Sequence, residues 1–380
     1  MSNKILFVDD DTNLLAAFRR QLRKQFQIDT AEGGQQGLEL VKANGPYAVI
    51  VSDFRMPLMD GIEFLSRIRE IAPETVRIML TGNADLQAAI QAVNEGNIFR
   101  FLTKPCSVDI LGESLITGIE NYQHAVGERE YNEKTRISMA QAGEVQQQLI
   151  PKADPIIDGL DIAGKSIYCD ETGGDYYDFL DRGGNGHAKI SVVVGDVSDH
   201  GISSALLMTS ARAFLRERSL KPGTIAGIVS DVNKQLTRDI EMSNRFMTLF
   251  YSEIDATQKQ IRWVRAGHDP AILYDPAENC FEELKGQGLP LGVVEDTEYH
   301  ECECQVADGQ IIVITTDGIG EASDRKGEMF GKERLKNIIR LNAGKSAREI
   351  VGAVLDAVKL FIHPLPQKDD ATLVVIKLDR

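Results

Sequence analysis

The first third of the chain alternates short apolar runs with segments of helical periodicity, and this alternation strongly constrains the fold. The runs are 5–8, 47–51, 76–80 and 98–102, and the last two each include one arginine. In the segments between them, such as 14–22, apolar residues recur every three or four positions. Strands and helices that alternate at this spacing predict an α/β domain with a five-stranded parallel doubly wound sheet. The ligand of such a domain lies at the carboxyl ends of its strands.

Polar residues stand where these strands are expected to end. Asp9 and Asp10 follow the first run, Asp53 follows the second, Thr81 the third and Lys104 the fourth. The carboxylates concentrate negative charge that one Mg ion can neutralise, which leaves Asp53 as the nucleophile toward a phosphoryl group. Lys104 would pair with the phosphate as a point charge, and the Thr81 hydroxyl would donate to one of its oxygens. The sequence therefore predicts a phosphoaspartate at Asp53.

These motifs resemble those of a response-regulator receiver domain, over residues 1–122. The implied ligands of the receiver Mg are Asp9, Asp10, Asp53 and the carbonyl of Arg55. The implied switch residues are Thr81, Phe101 and Lys104, and the Lys104–Pro105 peptide is expected to be cis. The resemblance also implies a histidine kinase or a phosphotransfer protein as the source of the phosphoryl group. A flavodoxin-like domain with an accidental acidic rim is the alternative.

Four turns of small residues in the second part of the chain each hold an aspartate. The turns are 173–178, 195–201, 315–318 and 368–372, and their aspartates are Asp175, Asp196, Asp317 and Asp369. Three of the turns adjoin an apolar run of strand character. Carboxylates at strand ends can converge on one point, and glycine lets the backbone approach closely. One such turn alone is usually a solvated turn, but the four together indicate a binuclear Mg or Mn site.

With the segments 267–270, 289–292 and 316–322, these turns resemble the metal-dependent protein phosphatases of the PPM family (type 2C), especially the sporulation-phosphatase-like subclass. The implied metal ligands are Asp175, Asp196, the Val197 carbonyl, Asp317 and Asp369. Asp196 would bridge two Mn or Mg ions, and Asp370 is the alternative to Asp369. The ions would activate a water as the nucleophile, so no nucleophilic side chain is required. The implied fold is α+β, with two stacked antiparallel sheets flanked by helices and the metals in a cleft between the sheets.

Two residues depart from the usual pattern of that subclass. Asp199 stands where a glycine is common before His200, and Asp269 stands where an amide is common before Pro270. Neither change removes a predicted ligand. We assign no catalytic role to Asp178, Asp199 or His200, although each lies close in sequence to a predicted ligand.

The segment between the two sets of motifs is predicted to be helical. It lacks proline between Pro105 and Pro151, and its apolar stripe becomes irregular after Val126. We therefore predict a receiver domain at 1–122, a helical linker at 123–150 and a phosphatase domain at 151–380. Two readings of the linker stay open, namely a helix packed on its own receiver and a two-stranded coiled coil that forms a homodimer.

Composition argues against several other classes of protein. The formal net charge of −15 argues against a nucleic-acid-binding surface. No apolar run reaches transmembrane length, so no membrane association is expected. The five cysteines show no CxxC spacing, which favours reduced thiols and a cytoplasmic location.

The sequence thus predicts a two-component response regulator whose output is the metal-dependent dephosphorylation of phosphoserine or phosphothreonine on a protein. Phosphorylation at Asp53 would control this output. By analogy with the subclass, the substrate would be an anti-sigma antagonist in a partner-switching pathway. The alternative is a catalytically weak or inactive adaptor that keeps the phosphatase fold and binds a sigma factor or another regulator. The presence of all four carboxylates favours the enzyme.

Overall fold

The chain forms two compact units in the computed structural model, Met1–Arg136 and Ile137–Arg380. The structure describes residues 2–82, 98–181, 189–240 and 244–379. The division between the units falls inside the predicted linker, and the predicted domain limits at 122 and 150 stay predictions. Among the helices of the described ranges, none combines the length and the apolar character that crossing a membrane requires.

The first unit contains one parallel sheet. Its strands are β1 (Lys4–Asp9), β2 (Gln27–Glu32), β3 (Val49–Asp53), β4 (Val76–Thr81) and β5 (Arg100–Thr103), in the order β2-β1-β3-β4-β5. Its described helices are α1 (Thr12–Leu22), α2 (Gly34–Asn44), α3 (Gly61–Ile71) and the start of α4 (Val108–Gln147). All the strand pairs are parallel. This confirms the predicted five-stranded doubly wound sheet.

Helices cover both faces of this sheet. Successive residues of its buried strands point to opposite sides and pack against different helices. Phe7 and Val51 pack with residues of α1 and α4. Val8 and Ile50 pack on the other face with residues of α2 and α3. The central strands β1, β3 and β4 are buried on both faces and give runs that are apolar apart from Arg77. The edge strand β5 is largely exposed or half-buried and contains Arg100. The edge strand β2 is partly exposed and polar, so no run marks it.

The second unit contains two antiparallel sheets. Its strands are β6 (Leu160–Ile167), β7 (Tyr176–Leu180), β8 (Lys189–Val197), β9 (Met247–Asp255), β10 (Gln260–Ala266), β11 (Ala271–Asp275), β12 (Cys280–Leu284), β13 (Cys302–Gln305), β14 (Ile311–Thr315) and β15 (Ala371–Leu378). The helices described here, besides the end of α4, are α5 (Ile202–Ser219), α6 (Ile225–Ile240), α7 (Asp317–Gly320), α8 (Gly331–Asn342) and α9 (Ala347–Ile362). One sheet has the order β13-β10-β9-β8-β7 and the other β12-β11-β14-β15-β6.

Three apolar cores hold these layers together. The central core joins the two sheets, with residues such as Val192 and Phe250 from one sheet and Ile312 and Val374 from the other. A second core packs α5 and α6 on the outer face of the first sheet, and a third packs α8 and α9 on the outer face of the second. The predicted stacked antiparallel sheets flanked by helices are therefore confirmed.

Helix α4 contributes residues to both units. Leu111, Leu115 and Tyr122, which lie within the predicted receiver range, are buried in the core of the first unit. Near the other end of the helix, Gln146 is buried in the second unit and only 4% exposed. The coiled-coil homodimer stays a prediction.

Candidate metal sites of the two units

The carboxyl ends of β1 and β3 bring three aspartates of the first unit together. Asp9, Asp10 and Asp53 each offer a carboxylate oxygen, and these oxygens lie within 4.8 Å of one another. Lys104 follows β5, and its Nζ lies 2.7 Å from Asp9 Oδ2 and also pairs with Asp53. Carboxylates at this spacing suit a hard cation such as Mg²⁺.

Hydrogen bonds keep the Lys104 side chain of this site charged. Burial alone would lower the pKa of Lys104, but its hydrogen bonds with Asp53 and Asp9 outweigh burial and raise it. The backbone N–H of Arg55 donates to Asp53 Oδ2 over 2.9 Å. Lys104 therefore stays charged at neutral pH, where it can balance a phosphoryl group on Asp53.

The predicted switch residues lie on the adjacent strands β4 and β5. Thr81 is fully buried at the end of β4, and its hydroxyl donates to the Gly82 carbonyl over 3.3 Å. Phe101 is half-buried and pairs with Met79 in the sheet register. The Lys104–Pro105 peptide is cis, as the resemblance implied. The switch roles of these residues stay predictions.

In the second unit, the four predicted aspartates lie at the ends of two strands from each sheet. Asp175 precedes β7 and Asp196 lies near the end of β8, in the first sheet. Asp317 begins α7 directly after β14, and Asp369 precedes β15, in the second sheet. The hydroxyl of Thr316 donates to Asp175 Oδ2 over 2.8 Å and so connects the two sets of strand ends.

Mutual repulsion shows that these carboxylates share one region. Burial raises the pKa of Asp196 to about 8, with further increases from the charges of Asp317 and Asp369. Burial and the charge of Asp196 also raise the pKa of Asp175. The pKa of Asp317 is raised by partial burial and by Asp369. Divalent cations would remove this repulsion, and an all-oxygen donor set fits Mg²⁺ or Mn²⁺.

The spacing of the four carboxylates differs from that of the receiver site. In the described ranges, groups of three or more ligand atoms within 4.8 Å form at Asp9, Asp10 and Asp53 and at one other cluster, but not among the four aspartates. Ligands of two ions that lie about 3.5–4 Å apart span a wider region than those of one ion. The number of ions and the individual ligand assignments stay predictions.

Two glycines permit the close backbone approaches that form this region. A Cβ on Gly318 would lie 1.9 Å from the carbonyl oxygen of Asp370. A Cβ on Gly174 would lie 3.0 Å from the carbonyl oxygen of Val197, which is a predicted ligand. Glycine at these positions therefore allows the Asp317 turn to lie against the Asp369 segment, and the Asp175 loop to lie against β8.

The two members of the Asp369–Asp370 pair have different surroundings. Asp370 is 3% exposed and accepts hydrogen bonds from the backbone N–H groups of Cys169 over 2.8 Å and Gly174 over 2.7 Å. Asp369 is exposed, and its Oδ1 accepts from the N–H of Asp370 over 2.8 Å. Asp370 thus fixes the loop that leads to Asp175, and the choice of Asp369 as the metal ligand stays a prediction. An Asp-Asp pair in the sequence carries no signal of this difference.

Gln146 is a second anchor of the same loop, and our reasoning from the sequence missed it. Its side-chain Nε2 donates to the Gly173 carbonyl over 2.6 Å, and the N–H of Gly173 donates to its Oε1 over 3.0 Å. Gln146 stands in a run of three glutamines that nothing in the sequence distinguishes. The end of α4 is therefore hydrogen-bonded to the loop that carries Asp175.

At one departure from the subclass pattern, the structure explains why glycine is the usual residue. Asp199 has a φ of 65°, in the left-handed region that glycine adopts at least cost. Its Oδ2 lies 3.4 Å from Arg245 Nη1. At the second departure, Asp269 Oδ2 lies 3.1 Å from Lys332 Nζ, and the charge of Asp269 contributes to the raised pKa of Asp317.

Comparison with known families identifies both halves of the chain. Residues 186–379 match the model of the family described as Stage II sporulation protein E (SpoIIE). Residues 5–116 match the model of the response regulator receiver domain. These ranges contain all the predicted receiver residues and every predicted phosphatase ligand except Asp175.

Individual proteins are similar to this chain in sequence or in fold. The phosphoserine phosphatase RsbU of Bacillus subtilis (strain 168) is 28% identical over 274 residues, which are 71% of this chain and 79% of RsbU. The solved SiaA-PP2C domain of Pseudomonas aeruginosa has a TM-score of 0.56 at 23% identity, covering 66% of this chain and 99% of that chain. The solved RsbU and RsbW domains of a Mycobacterium tuberculosis protein have a TM-score of 0.51 at 25% identity, covering 61% of this chain and 63% of that chain.

Proposed function

The chain belongs to the Stage II sporulation protein E (SpoIIE) family, with a receiver domain ahead of a PP2C-type phosphatase domain, and we propose that it is a phosphorylation-controlled protein phosphatase. Its reaction would be the hydrolysis of phosphoserine or phosphothreonine on a protein. The observation that carries this proposal is the group of four carboxylates, which lie at strand ends of two stacked sheets and repel one another.

The chain's own residues would hold two Mn or Mg ions in the phosphatase domain. The proposed ligands are Asp175, Asp196, the carbonyl of Val197, Asp317 and Asp369. When bound, such ions supply Lewis acidity and lower the pKa of water enough to provide a nucleophile at neutral pH. The protein's part is to orient the ligands. Thr316 orients the Asp175 carboxylate, and Asp370 fixes the loop before it.

The substrate class is supported by the relatives. RsbU of Bacillus subtilis is a phosphoserine phosphatase by name, and the Mycobacterium tuberculosis structure combines an RsbU domain with an RsbW domain. We infer that this chain acts on a phosphorylated anti-sigma antagonist-like protein in a partner-switching pathway. A cytoplasmic location stays a prediction.

Control would begin at Asp53, with one Mg ion held by Asp9, Asp10, Asp53 and the Arg55 carbonyl. A histidine kinase or a phosphotransfer protein would supply the phosphoryl group. Helix α4 supports a route for the signal, because it packs in the core of the receiver at one end and bonds the loop before Asp175 at the other through Gln146. A homodimer formed through α4 would let receiver pairing change the position of that helix end.

Hydrolysis of an aryl phosphate and of a phosphoserine protein by the purified chain tests this proposal. We expect turnover in Mn that a chelator abolishes, and a change in rate after treatment with beryllofluoride or an acyl phosphate. Asp196→Asn should abolish turnover while the fold persists, whereas Asp296→Asn, at a side chain 88% exposed, should leave it unchanged. Asp53→Ala should keep the basal rate and lose the response.

The same measurements separate the two candidate functions. Full activity in Asp196→Asn would remove the bridging role of Asp196, and a response that survives Asp53→Ala would remove Asp53 as the switch. If neither state of the parent protein turns over either substrate, the adaptor that binds a sigma factor or another regulator becomes the better account.

A further inference from the structure

A thiol, a carboxylate and an imidazole lie together outside the proposed ligand set. Cys169, Asp170 and His200 each offer one ligand atom, and these atoms lie within 4.8 Å of one another. His200 Nδ1 is 2.8 Å from Asp170 Oδ2, although the two residues are 30 positions apart. Cys169 is half-buried and the other two side chains are exposed, so an ion can reach the cluster from solvent.

The backbone holds both segments of this cluster in place. The N–H of Cys169 donates to Asp370 Oδ1 over 2.8 Å, which fixes the first segment to the buried carboxylate. His200 lies between Asp199, with a φ of 65°, and Gly201, with a φ of 84°. Two left-handed residues around it define a tight turn between β8 and α5. The three side chains therefore extend from backbone positions that are held in place.

The donor atoms of this cluster select a different ion from the four aspartates. Sulfur, nitrogen and oxygen ligands at one point suit zinc, which binds three protein ligands and leaves a fourth position for water in its open sites. Mg²⁺ and Mn²⁺ prefer the all-oxygen donors of the aspartate region. Soft and hard cations should therefore bind at different sites, because the ligands of the two sites differ in hardness.

The charges around the cluster favour a cation. The hydrogen bond with Asp170 raises the pKa of His200, and Asp369 and Asp370 raise it further. Burial raises the pKa of the Cys169 thiol to about 12, with additional increases from Asp370 and Asp170. A divalent cation reverses this effect, because it stabilises the thiolate and neutralises the surrounding carboxylates. On binding, the thiol proton and the proton on the His200 nitrogen that takes the ion both pass to solvent.

We propose that Cys169, Asp170 and His200 form a binding site for a thiophilic divalent cation, with zinc as the expected ion. The site shares no residue with the proposed ligands of the two metals, and its test does not require phosphatase activity.

Cobalt absorption tests this site, because only a thiolate ligand gives a sulfur-to-cobalt charge-transfer band in the near ultraviolet. The full chain is reduced, freed of metal, supplied with excess Mg²⁺ to fill the oxygen sites, and titrated with Co²⁺. We expect the band to grow to one ion per chain and to disappear when Zn²⁺ is added, since zinc displaces cobalt from such ligands. Cys169→Ser should abolish the band, and Cys280→Ser, at an exposed cysteine, should leave it intact.

The remaining ligands are tested by affinity. His200→Ala and Asp170→Asn should each weaken Co²⁺ binding at least roughly tenfold, the loss typical for disturbing a metal's immediate surroundings. Absence of the band in the parent protein, or a band that persists in Cys169→Ser, would overturn the site. A band whose affinity is unchanged in His200→Ala would overturn the three-ligand assignment. Circular dichroism of each variant confirms that the fold is retained.

Discussion

Replacing Asp196 by Asn should stabilise the metal-free phosphatase domain at pH 8, although it removes a proposed catalytic ligand. Burial and the charges of Asp317 and Asp369 raise the pKa of Asp196 from 3.8 to about 8 in the folded protein. In the unfolded chain the carboxyl has its usual pKa. The folded state therefore holds a proton that the unfolded state releases between these pH values, and stability falls as pH rises through that window.

The size of this effect follows from the pKa. A rise from 3.8 to about 8 corresponds to on the order of 6 kcal/mol of lost stability once both states are ionised. Because the carboxylates share the repulsion and solvent reaches Asp196, we expect the single substitution to recover roughly 2 kcal/mol. For a domain of this size, that is a rise of about 4–8 °C in Tm. Below about pH 4 the carboxyl is protonated in both states, so parent and variant should be equally stable.

The sole tryptophan provides the assay. Trp263 is 5% exposed in β10, so its fluorescence reports unfolding of the second unit within the intact chain. Thermal unfolding is followed in chelator from pH 4 to 8 and repeated in Mn. Mn at 100 times its Kd should stabilise the parent by about 2.7 kcal/mol and the variant by less. If the variant in chelator at pH 8 is less stable than the parent, the repulsion assigned to Asp196 is refuted.

Two further substitutions test the geometry around the aspartates. Gln146→Leu leaves the Gly173 backbone groups without their hydrogen-bond partner, at a cost of about 1–3 kcal/mol of stability. The rate of Mn-dependent hydrolysis should therefore fall. Gln147→Leu, at the exposed neighbouring position, should keep the rate of the parent. Gly318→Ala places a Cβ 1.9 Å from a backbone oxygen and should abolish stabilisation by Mn, whereas Gly320→Ala, whose Cβ meets nothing within 4 Å, should retain it. Equal behaviour within either pair would contradict the contacts assigned here.

The fold of both units could be predicted because burial leaves a local pattern in the sequence. The run at 47–51 is apolar throughout, and the run at 76–80 is apolar except for Arg77, because helices cover both faces of the parallel sheet. The polar edge strand β2 has no such cover and gave no signal. Motifs placed Asp53 and Asp196 correctly at strand ends, because the residues that end a buried strand are polar and lie next to the apolar run.

The supports of the site could not be predicted, because they depend on contacts between segments far apart in the chain. Asp370 bonds the N–H of Gly174 across 196 positions, and Thr316 bonds Asp175 across 141. Gln146 is closer, at 27 positions, but is identical to its neighbours in type. Only the folded chain shows which of several equivalent side chains is buried and bonded.

These supports make Asp175 the proposed ligand whose position depends on the most separate parts of the chain. The loop before it is held by Gln146 at the end of α4 and by Asp370 next to β15, and its carboxylate is held by Thr316 after β14. Asp196, by contrast, lies within β8, where the sheet fixes it through its pairing with Thr248. A signal that moved the end of α4 would therefore disturb the position of Asp175 more directly than that of Asp196. Control at this ligand would change metal binding while leaving the strands of the fold in place.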